Sequence, residues 1–125
     1  MISIDAKSDK PIYEQIIEQM KFHVAKGNLK SGDAIPSVRK LALDLKITPG
    51  TVSKAYSELE RQRVIETIRG KGTFIAQDIS FEADEKMIDE VRKSLKSNLL
   101  ELKMNGLNEE EIVKLVKETY KELGL

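Results

Sequence analysis

The sequence predicts a mainly α-helical fold: a winged helix-turn-helix of three helices and a two-stranded wing, followed by a two-helix appendage. Two short amphipathic segments meet at a tight polar turn within residues 36–62. A basic, glycine-bearing hairpin pattern follows at residues 63–76, which completes the order of elements of a winged helix-turn-helix. Apolar residues then recur at steps of three and four, as they do in amphipathic helices. We therefore expect a winged domain at 1–77 and a two-helix segment at 78–125.

The N-terminal part of the chain predicts an arm and a first helix. Ile2 and Ile4 alternate with polar residues, which fits a short strand or a packed arm. Pro11 suits the first turn of a helix, where its missing N–H group costs nothing, and Gly27 is a typical C-terminal stop. The composition of residues 27–36 predicts a loop. The apolar face of the first helix consists of Ile12, Tyr13, Ile16, Ile17, Met20 and Val24.

The second and third helices follow from capping signals. Ser37 is expected to cap the second helix, and residues 46–47 are expected to form the turn after it. Thr48 followed by Pro49 is a strong helix start, because a hydroxyl cap precedes a proline at the first helical position. The third helix is expected to reach about Gln62. The residues of the second helix that face inward are Val38, Leu41, Ala42 and Leu45.

A hairpin and two more helices complete the prediction. The hairpin strands are expected near Ile65–Ile68 and Thr73–Ala76, with Gly70 and Gly72 at the tip. Downstream, the apolar stripe of a long helix ends near Gly106. Asn108 and Glu111 have the spacing of a capping box for the last helix.

Composition excludes several function classes. The chain has no Cys, which removes disulfides, thiol catalysis and thiolate metal sites. Its one histidine, His23, lies beside the apolar face of the first helix and has no nucleophile or second ligand near it in the pattern, so we predict no enzyme, no metal and no cofactor. There is no signal-peptide pattern and no apolar run near the roughly 18 residues of a membrane span, so we expect a cytoplasmic protein without a membrane partner.

The charge is divided unequally along the chain although the formal net charge is zero. Residues 1–77 carry 13 Lys and Arg against 9 Asp and Glu, a net charge of +4. Residues 78–125 carry 8 against 12, a net charge of −4. This asymmetry indicates that the first part meets a polyanion and the second part does not.

The outward face of the third helix is small, polar and cationic. On a helical wheel, Gly50, Lys54, Ser57 and Arg61 lie opposite the apolar face, with Thr51 and Ser53 beside them. Such residues let a helix approach base edges and bond to bases or phosphates. A solvated helix face has a similar composition, but the capped turn before this helix and the basic hairpin after it favour DNA binding.

Two further cationic positions admit the same two interpretations. Arg39 lies near the start of the second helix, where it is either a phosphate contact or a surface arginine. Arg69 and Lys71 flank the glycines of the wing tip, which could follow a phosphate backbone or form a solvated turn.

The chain resembles the GntR family of transcription regulators, specifically its YtrA-type subfamily. The resemblance rests on PIYEQI at 11–16, GNLKSGDAIPSVRKLALDL at 27–45, TVSKAYSELE at 51–60 and GKGTFI at 70–75. It implies a winged helix-turn-helix, a homodimer and operator DNA of two inverted half-sites. Arg63 stands where members of the family usually have glycine. The DNA contacts implied by position are Ser37, Arg39, Thr48, Gly50, Thr51, Ser53, Lys54, Lys71, Gly72 and Thr73.

The 48 residues after Gln77 fit two helices and little else, so we expect no sensor domain of about 100 residues. A long apolar stripe on a two-helix segment needs a partner surface, and a second copy would supply it in a two-fold contact. Packing onto the chain's own winged domain is the alternative. The residues predicted to form the dimer contact are Met87, Val91, Leu95, Leu99, Leu102, Ile112, Val116 and Tyr120.

We therefore predict a sequence-specific transcription regulator, a repressor, that binds double-stranded operator DNA as a homodimer with half-sites about 34 Å apart. One alternative is a winged-helix module for protein or RNA, which would show weak salt dependence on duplex DNA. Another adds an unknown small-molecule effector at the dimer interface, lined by Met87, Met104 and Tyr120.

Overall fold

The structure is a computed structural model that describes residues 1–79, 81 and 83–125. It has two compact units, Met1–Ile79 and Ser80–Leu125. The elements of the first unit are α1 (Ile12–Lys26), β1 (Ala34–Ile35), α2 (Val38–Leu45), α3 (Pro49–Arg61), β2 (Ile65–Ile68) and β3 (Gly72–Ile75). Those of the second unit are α4 (Glu85–Met104) and α5 (Glu109–Leu123). The predicted mainly helical winged helix-turn-helix is confirmed.

Helix α3 lies at the centre of the first unit, where α1 and α2 both pack against it. Its inward side chains Val52 and Leu59 are fully buried with Ile16 and Met20 of α1 and Ile75 of β3. These aliphatic contacts fix the rotation of α3 about its own axis, because turning it would expose them to water. The opposite face of α3 is thereby held outward.

The sheet has three antiparallel strands in the order β1-β3-β2, rather than the two that the sequence predicts. Ala34 and Ile35 pair with Phe74 and Thr73, within the stretch predicted to be a loop. A strand of two residues has no periodicity that a sequence pattern could show. Its pairing covers the second edge of β3, and burial of Ile35 fixes the register.

Most predicted helix ends are confirmed, with two corrections. The Ser37 hydroxyl accepts a hydrogen bond from the Lys40 N–H at 3.1 Å, as predicted. Thr48 holds the N-cap position of α3, but its side chain does not cap the helix. The Thr51 N–H donates to the Thr48 carbonyl at 3.1 Å, and the two hydroxyl groups lie 3.0 Å apart. Pro11 is the N-cap of α1 and precedes the first helical residue.

The N-terminal residues form a packed arm, not a strand, along α1. Ile2 of this arm is buried in the core. Three side chains of α1, spaced four residues apart, hold the backbone of alternate arm residues, because four helical residues rise about as far as two extended ones. The side chains of α1 hydrogen-bond to backbone atoms of the arm with donor–acceptor distances of 3.0 Å or less. The pairs are Gln15 with Asp5, Gln19 with Ser3, and His23 with Met1.

The second unit is a pair of capped helices. Asp84 accepts hydrogen bonds from the N–H groups of Lys86 and Met87 at the start of α4. Asn108 and Glu111 form the predicted capping box at the start of α5. None of the described residues of α4 or α5 is buried. Within the described part of the chain, no helix is long and apolar enough to span a bilayer.

Candidate nucleic-acid interface

The outward face of α3 is open to solvent. Gly50, Ser53 and Lys54 are exposed and Thr51 is half-buried, in agreement with the helical wheel. A Cβ atom built at Gly50 would meet no heavy atom within 4 Å, so packing within the chain does not require glycine there. The absence of a side chain instead leaves the first turn of α3 able to approach another surface closely.

Lys54 is held by an aromatic ring of the neighbouring helix. Its Nζ atom lies 4.0 Å from the ring centroid of Tyr13 on α1, well within the range of a cation–π interaction. The Tyr13 hydroxyl donates to Glu14 at 3.2 Å. This hydrogen bond, with the charge of Glu14, raises the pKa of Tyr13 above its ordinary value, so the ring stays neutral at physiological pH.

Glu58, one turn after Lys54 on α3, is fully engaged by other side chains. The Arg61 guanidinium donates to both carboxylate oxygens, at 2.9 and 2.5 Å, and the Gln62 amide donates to Oε1 at 2.7 Å. These hydrogen bonds lower the pKa of Glu58 to about 2. Arg61, predicted as part of the cationic outward face, is therefore largely neutralised by its own helix.

The start of α2 is fixed to α3 by one part-buried hydrogen bond. The Tyr56 hydroxyl donates to the Pro36 carbonyl at 2.6 Å, directly before Ser37. Burial raises the pKa of Tyr56 to about 12, so it remains a donor at physiological pH. Ser37 and Arg39 are exposed in the first turn of α2. Both thus keep a fixed position relative to α3.

The wing carries its cations on a tight turn. The Lys71 N–H donates to the Ile68 carbonyl at 2.9 Å, and Gly70 has a φ of 79°, as the third position of a type II turn requires. Lys71 and Gly72 are exposed at this tip. Thr73 lies further in, half-buried in the central strand between Ile35 and Thr67.

The candidate cations are available for an external anion. Arg39, Lys54 and Lys71 are exposed, and none forms a salt bridge with another residue that the structure describes. They lie on α2, α3 and the wing, which are the three parts of a winged helix-turn-helix that face DNA.

Tyr13 and Tyr56 were assigned to the apolar faces of their helices from the sequence. Neither the contact of the Tyr13 ring with Lys54 nor the hydrogen bond from Tyr56 to Pro36 has a local sequence signal.

Six of the eight residues predicted for a dimer contact line a groove between α4 and α5. The groove has a volume of about 310 Å³. Met87 and Val91 lie outside it on α4, and Met104 does not line it either, so the predicted effector trio is not assembled there. The apolar residues that line it are Leu95, Leu99, Leu102, Ile112, Leu115, Val116, Tyr120 and Leu123.

Comparison with known proteins identifies the family. The model of the family described as bacterial regulatory proteins, gntR family, matches residues 12–75. The chain is 44% identical over 118 residues to the HTH-type transcriptional repressor YtrA of Bacillus subtilis, covering 94% of this chain and 91% of the relative. The chain belongs to the gntR family of bacterial regulatory proteins. The resemblance to its YtrA-type members is confirmed.

Two solved structures are also similar to this gntR-family chain. The crystal structure of a transcriptional antiterminator from Listeria monocytogenes EGD-e has a TM-score of 0.90 and 46% identity, covering 100% of this chain and 93% of the other. AraR(DBD) in complex with an operator has a TM-score of 0.52 and 25% identity, covering 58% of this chain and 90% of the other. The names of the Bacillus subtilis and Listeria monocytogenes relatives give roles in transcription.

The residue after the C-cap of α3 has an unusual backbone conformation. Arg63 follows the C-cap of α3 and adopts a φ of 60°, in the left-handed region that favours glycine. Its N–H still donates to the Glu60 carbonyl at 2.9 Å. The hydrogen bond of the turn from α3 into the wing is therefore formed, at the cost of local backbone strain at Arg63.

Proposed function

We propose that this chain is a transcriptional repressor that binds an inverted-repeat operator as a homodimer. The observation that carries the proposal is that Arg39, Lys54 and Lys71, on the outward side of α2, α3 and the wing, are exposed and form no salt bridge with a residue that the structure describes. The name of the Bacillus subtilis relative supports repression, and the AraR complex supports operator binding by this fold.

The proposed contacts divide by chemistry. The charges of Arg39, Lys54 and Lys71 neutralise phosphates or bond to base edges, and the glycines allow close approach. Five of the ten proposed contact residues lie at the start of α2 or α3, where backbone N–H groups also favour phosphate. The proposed contact residues are Ser37, Arg39, Thr48, Gly50, Thr51, Ser53, Lys54, Lys71, Gly72 and Thr73.

Selection of bound fragments from a random duplex library tests DNA binding and yields the operator. We expect an inverted repeat whose half-sites are about 34 Å apart. The affinity for this duplex should fall steeply with salt, by about 10³- to 10⁵-fold between 50 and 200 mM if six to ten phosphates are contacted. No enrichment of any sequence, with an affinity insensitive to salt, would exclude the proposal.

Lys54→Ala tests the centre of the site. We expect a loss of about 1–3 kcal/mol in binding of the selected duplex, with relaxed specificity if Lys54 bonds to a base. Lys26→Ala is the matched control, because Lys26 is an exposed lysine that also lies over an aromatic ring, that of Phe22, on the far part of α1. Equal effects of the two substitutions would remove Lys54 from the site.

The α4–α5 groove is proposed as the dimer contact. Leu99 lines the groove and its neighbour Leu100 does not, although Leu100 is the more exposed, at 63% against 36%. We expect Leu99→Lys to give monomers in sedimentation equilibrium and Leu100→Lys to leave dimers, because only the first places a charge in the apolar contact. A wild-type monomer at all concentrations, or dissociation by both variants alike, contradicts this dimer.

An RNA target is the second candidate, since the similar Listeria monocytogenes structure is named as that of a transcriptional antiterminator. The same selected sequence, prepared as duplex RNA, separates the two. The major groove of an RNA helix is too narrow to admit α3, so we expect binding to duplex DNA to be the tighter. Tighter binding to RNA would favour the antiterminator function.

A further inference from the structure

We propose that Tyr13 of α1 is a positioning residue for the DNA contact made by Lys54 of α3. The inference rests on the proposed function and extends the binding site to a helix that carries none of the contacts assigned above. The aromatic ring holds the ammonium group at the outward surface before DNA arrives, and two nearby carboxylates are kept from capturing it.

The contact has the geometry of a positioning device. The Lys54 Nζ atom lies 4.0 Å from the Tyr13 ring centroid, and Lys54 is still exposed. The ring covers one side of the ammonium group and attracts it without a net charge. The remaining N–H donors of Lys54 therefore stay available to a phosphate oxygen or a base edge.

Two acidic side chains, Glu14 and Glu58, line the groove between α1 and α3 that Tyr13 and Lys54 also line. Each accepts a hydrogen bond from a residue other than Lys54. Glu14 accepts the Tyr13 hydroxyl at 3.2 Å. Glu58 accepts Arg61 at both oxygens and Gln62 at one. Glu58 lies four residues after Lys54, the spacing at which a lysine and a glutamate on one helix attract each other, yet no salt bridge joins them among the described residues.

This arrangement lowers the cost of binding. A free lysine side chain loses rotamer freedom when it contacts a phosphate, and a lysine paired with a carboxylate must first break that pair. The Tyr13 ring already restricts the Lys54 side chain before DNA binds. Lys54 also has no salt bridge with a described residue that would have to break first. The positioning therefore strengthens a contact whose charge Lys54 alone supplies.

Tyr13→Leu and Tyr13→Phe test the ring against the best duplex from the selection described above. We expect Tyr13→Leu to weaken binding about two- to fivefold, the range of an exposed cation–π interaction, and Tyr13→Phe to restore most of it. Phe22→Leu is the matched control, because Phe22 also lies on α1 under a lysine, at 5.5 Å from Lys26 Nζ, and should leave the affinity unchanged. Thermal midpoints of all variants identify any loss of folding.

A double-mutant cycle separates positioning from packing. In a Lys54→Met background, Tyr13→Leu should have no effect on affinity, because no cation is left to position. The slope of affinity against salt should fall by about one for Lys54→Met and stay at its wild-type value for Tyr13→Leu. An equal loss from Tyr13→Leu in both backgrounds would overturn the proposal and assign Tyr13 to packing alone.

The role of the engaged carboxylate has its own test. Arg61→Met releases Glu58 toward Lys54, so we expect weaker binding, and adding Glu58→Gln should recover it. Failure of Glu58→Gln to recover the affinity would overturn this part. These outcomes differ from failure of the proposed function, in which the wild-type chain itself selects no duplex.

Discussion

The Tyr56 hydroxyl oxygen lies 2.6 Å from the carbonyl oxygen of Pro36, to which it donates a hydrogen bond. Tyr56 belongs to the buried face of α3, with only 3% of its surface exposed, and Pro36 directly precedes the cap of α2. One side chain thus fixes the start of α2 against the middle of α3. The two helices that carry most of the proposed contacts are aligned by this bond.

Tyr56→Phe should destabilise the first unit by about 1–2 kcal/mol, because it leaves a part-buried carbonyl group without its donor. Urea unfolding followed by the helical circular dichroism signal measures this. Ser31→Ala is the control, since Ser31 carries an exposed hydroxyl group in the same unit and its loss should give no comparable change. Wild-type stability of Tyr56→Phe would mean that packing alone aligns α2 with α3.

Glu58 makes the stability of the first unit depend on acid pH. Its pKa of about 2 lies below the ordinary 4.5, so the folded chain takes up this proton later than the unfolded chain does. The contribution is therefore present above pH 4.5 and is lost as the pH falls toward 2. The free energy of unfolding, measured between pH 6 and pH 2, should decline less steeply with falling pH in Glu58→Gln than in the wild type. Parallel curves for the two proteins would contradict this assignment, and added salt should reduce the difference because the pair is partly exposed.

Gly50→Ala should separate stability from binding. A Cβ atom fits at Gly50 without contact, and its φ lies outside the left-handed region, so we expect a gain of about 0.5–1 kcal/mol in the free energy of unfolding. The same methyl group projects from the outward face of α3, so affinity for the selected duplex should fall. A more stable variant with unchanged affinity would show that close approach at Gly50 is not needed.

Arg63→Gly should stabilise the chain by about 1 kcal/mol, because Arg63 has a φ of 60° that costs a side-chain-bearing residue energy. Gly27→Ala is the reverse experiment at the end of α1. Gly27 has a φ of 85° and open space around it, so alanine there should destabilise by a similar amount through the backbone alone. We expect the unfolding midpoint to rise in Arg63→Gly and to fall in Gly27→Ala, relative to the wild type. A loss of stability in Arg63→Gly would mean that the contacts of the arginine side chain contribute more than the backbone strain costs.

The N-terminal arm gives a graded prediction for two glutamines. Gln15 is 7% exposed and bonds to the backbone of Asp5 and Lys10, whereas Gln19 bonds to Ser3 at an exposed position. We expect Gln15→Ala to cost about 2–3 kcal/mol and Gln19→Ala about 1 kcal/mol or less, because water replaces only the exposed bonds. Faster amide exchange of residues 2–5 in Gln15→Ala would locate the effect in the arm. Equal costs for both variants would contradict the role of burial.

The elements that could be predicted from the sequence are those with local signals. Helical periodicity gave the buried face of α3, and short-range capping patterns gave the ends at Ser37 and Asn108. β1 could not be predicted, because its pairing is decided by a distant strand and its two residues show no alternation. The missing side-chain cap at Thr48 has a different, local cause, since the backbone carbonyl of Thr48 accepts the N–H that its hydroxyl group would otherwise bind.

In the candidate site, too, the features with a local sequence signal could be predicted, and those that depend on packing between helices could not. Exposure of Ser53 and Lys54 follows from the helical wheel, and the structure agrees. The ring of Tyr13 under Lys54 could not be predicted, because the two residues meet only when α1 packs against α3. Residue spacing within one helix indicates which side chains face outward, but it does not indicate what a neighbouring helix places beside them.

Two helices of 20 and 15 residues without a single buried side chain have an unusual thermodynamic consequence. Helices of this length are only marginally formed in water unless an apolar face is covered. Under the proposed pairing of two copies, the ellipticity contributed by α4 and α5 depends on the protein concentration. It is high in a concentrated sample and decreases when the protein is diluted below the dimer dissociation constant. Repressor occupancy in a cell would then follow the square of its expression level at low abundance, so a small change in synthesis would switch its target genes steeply.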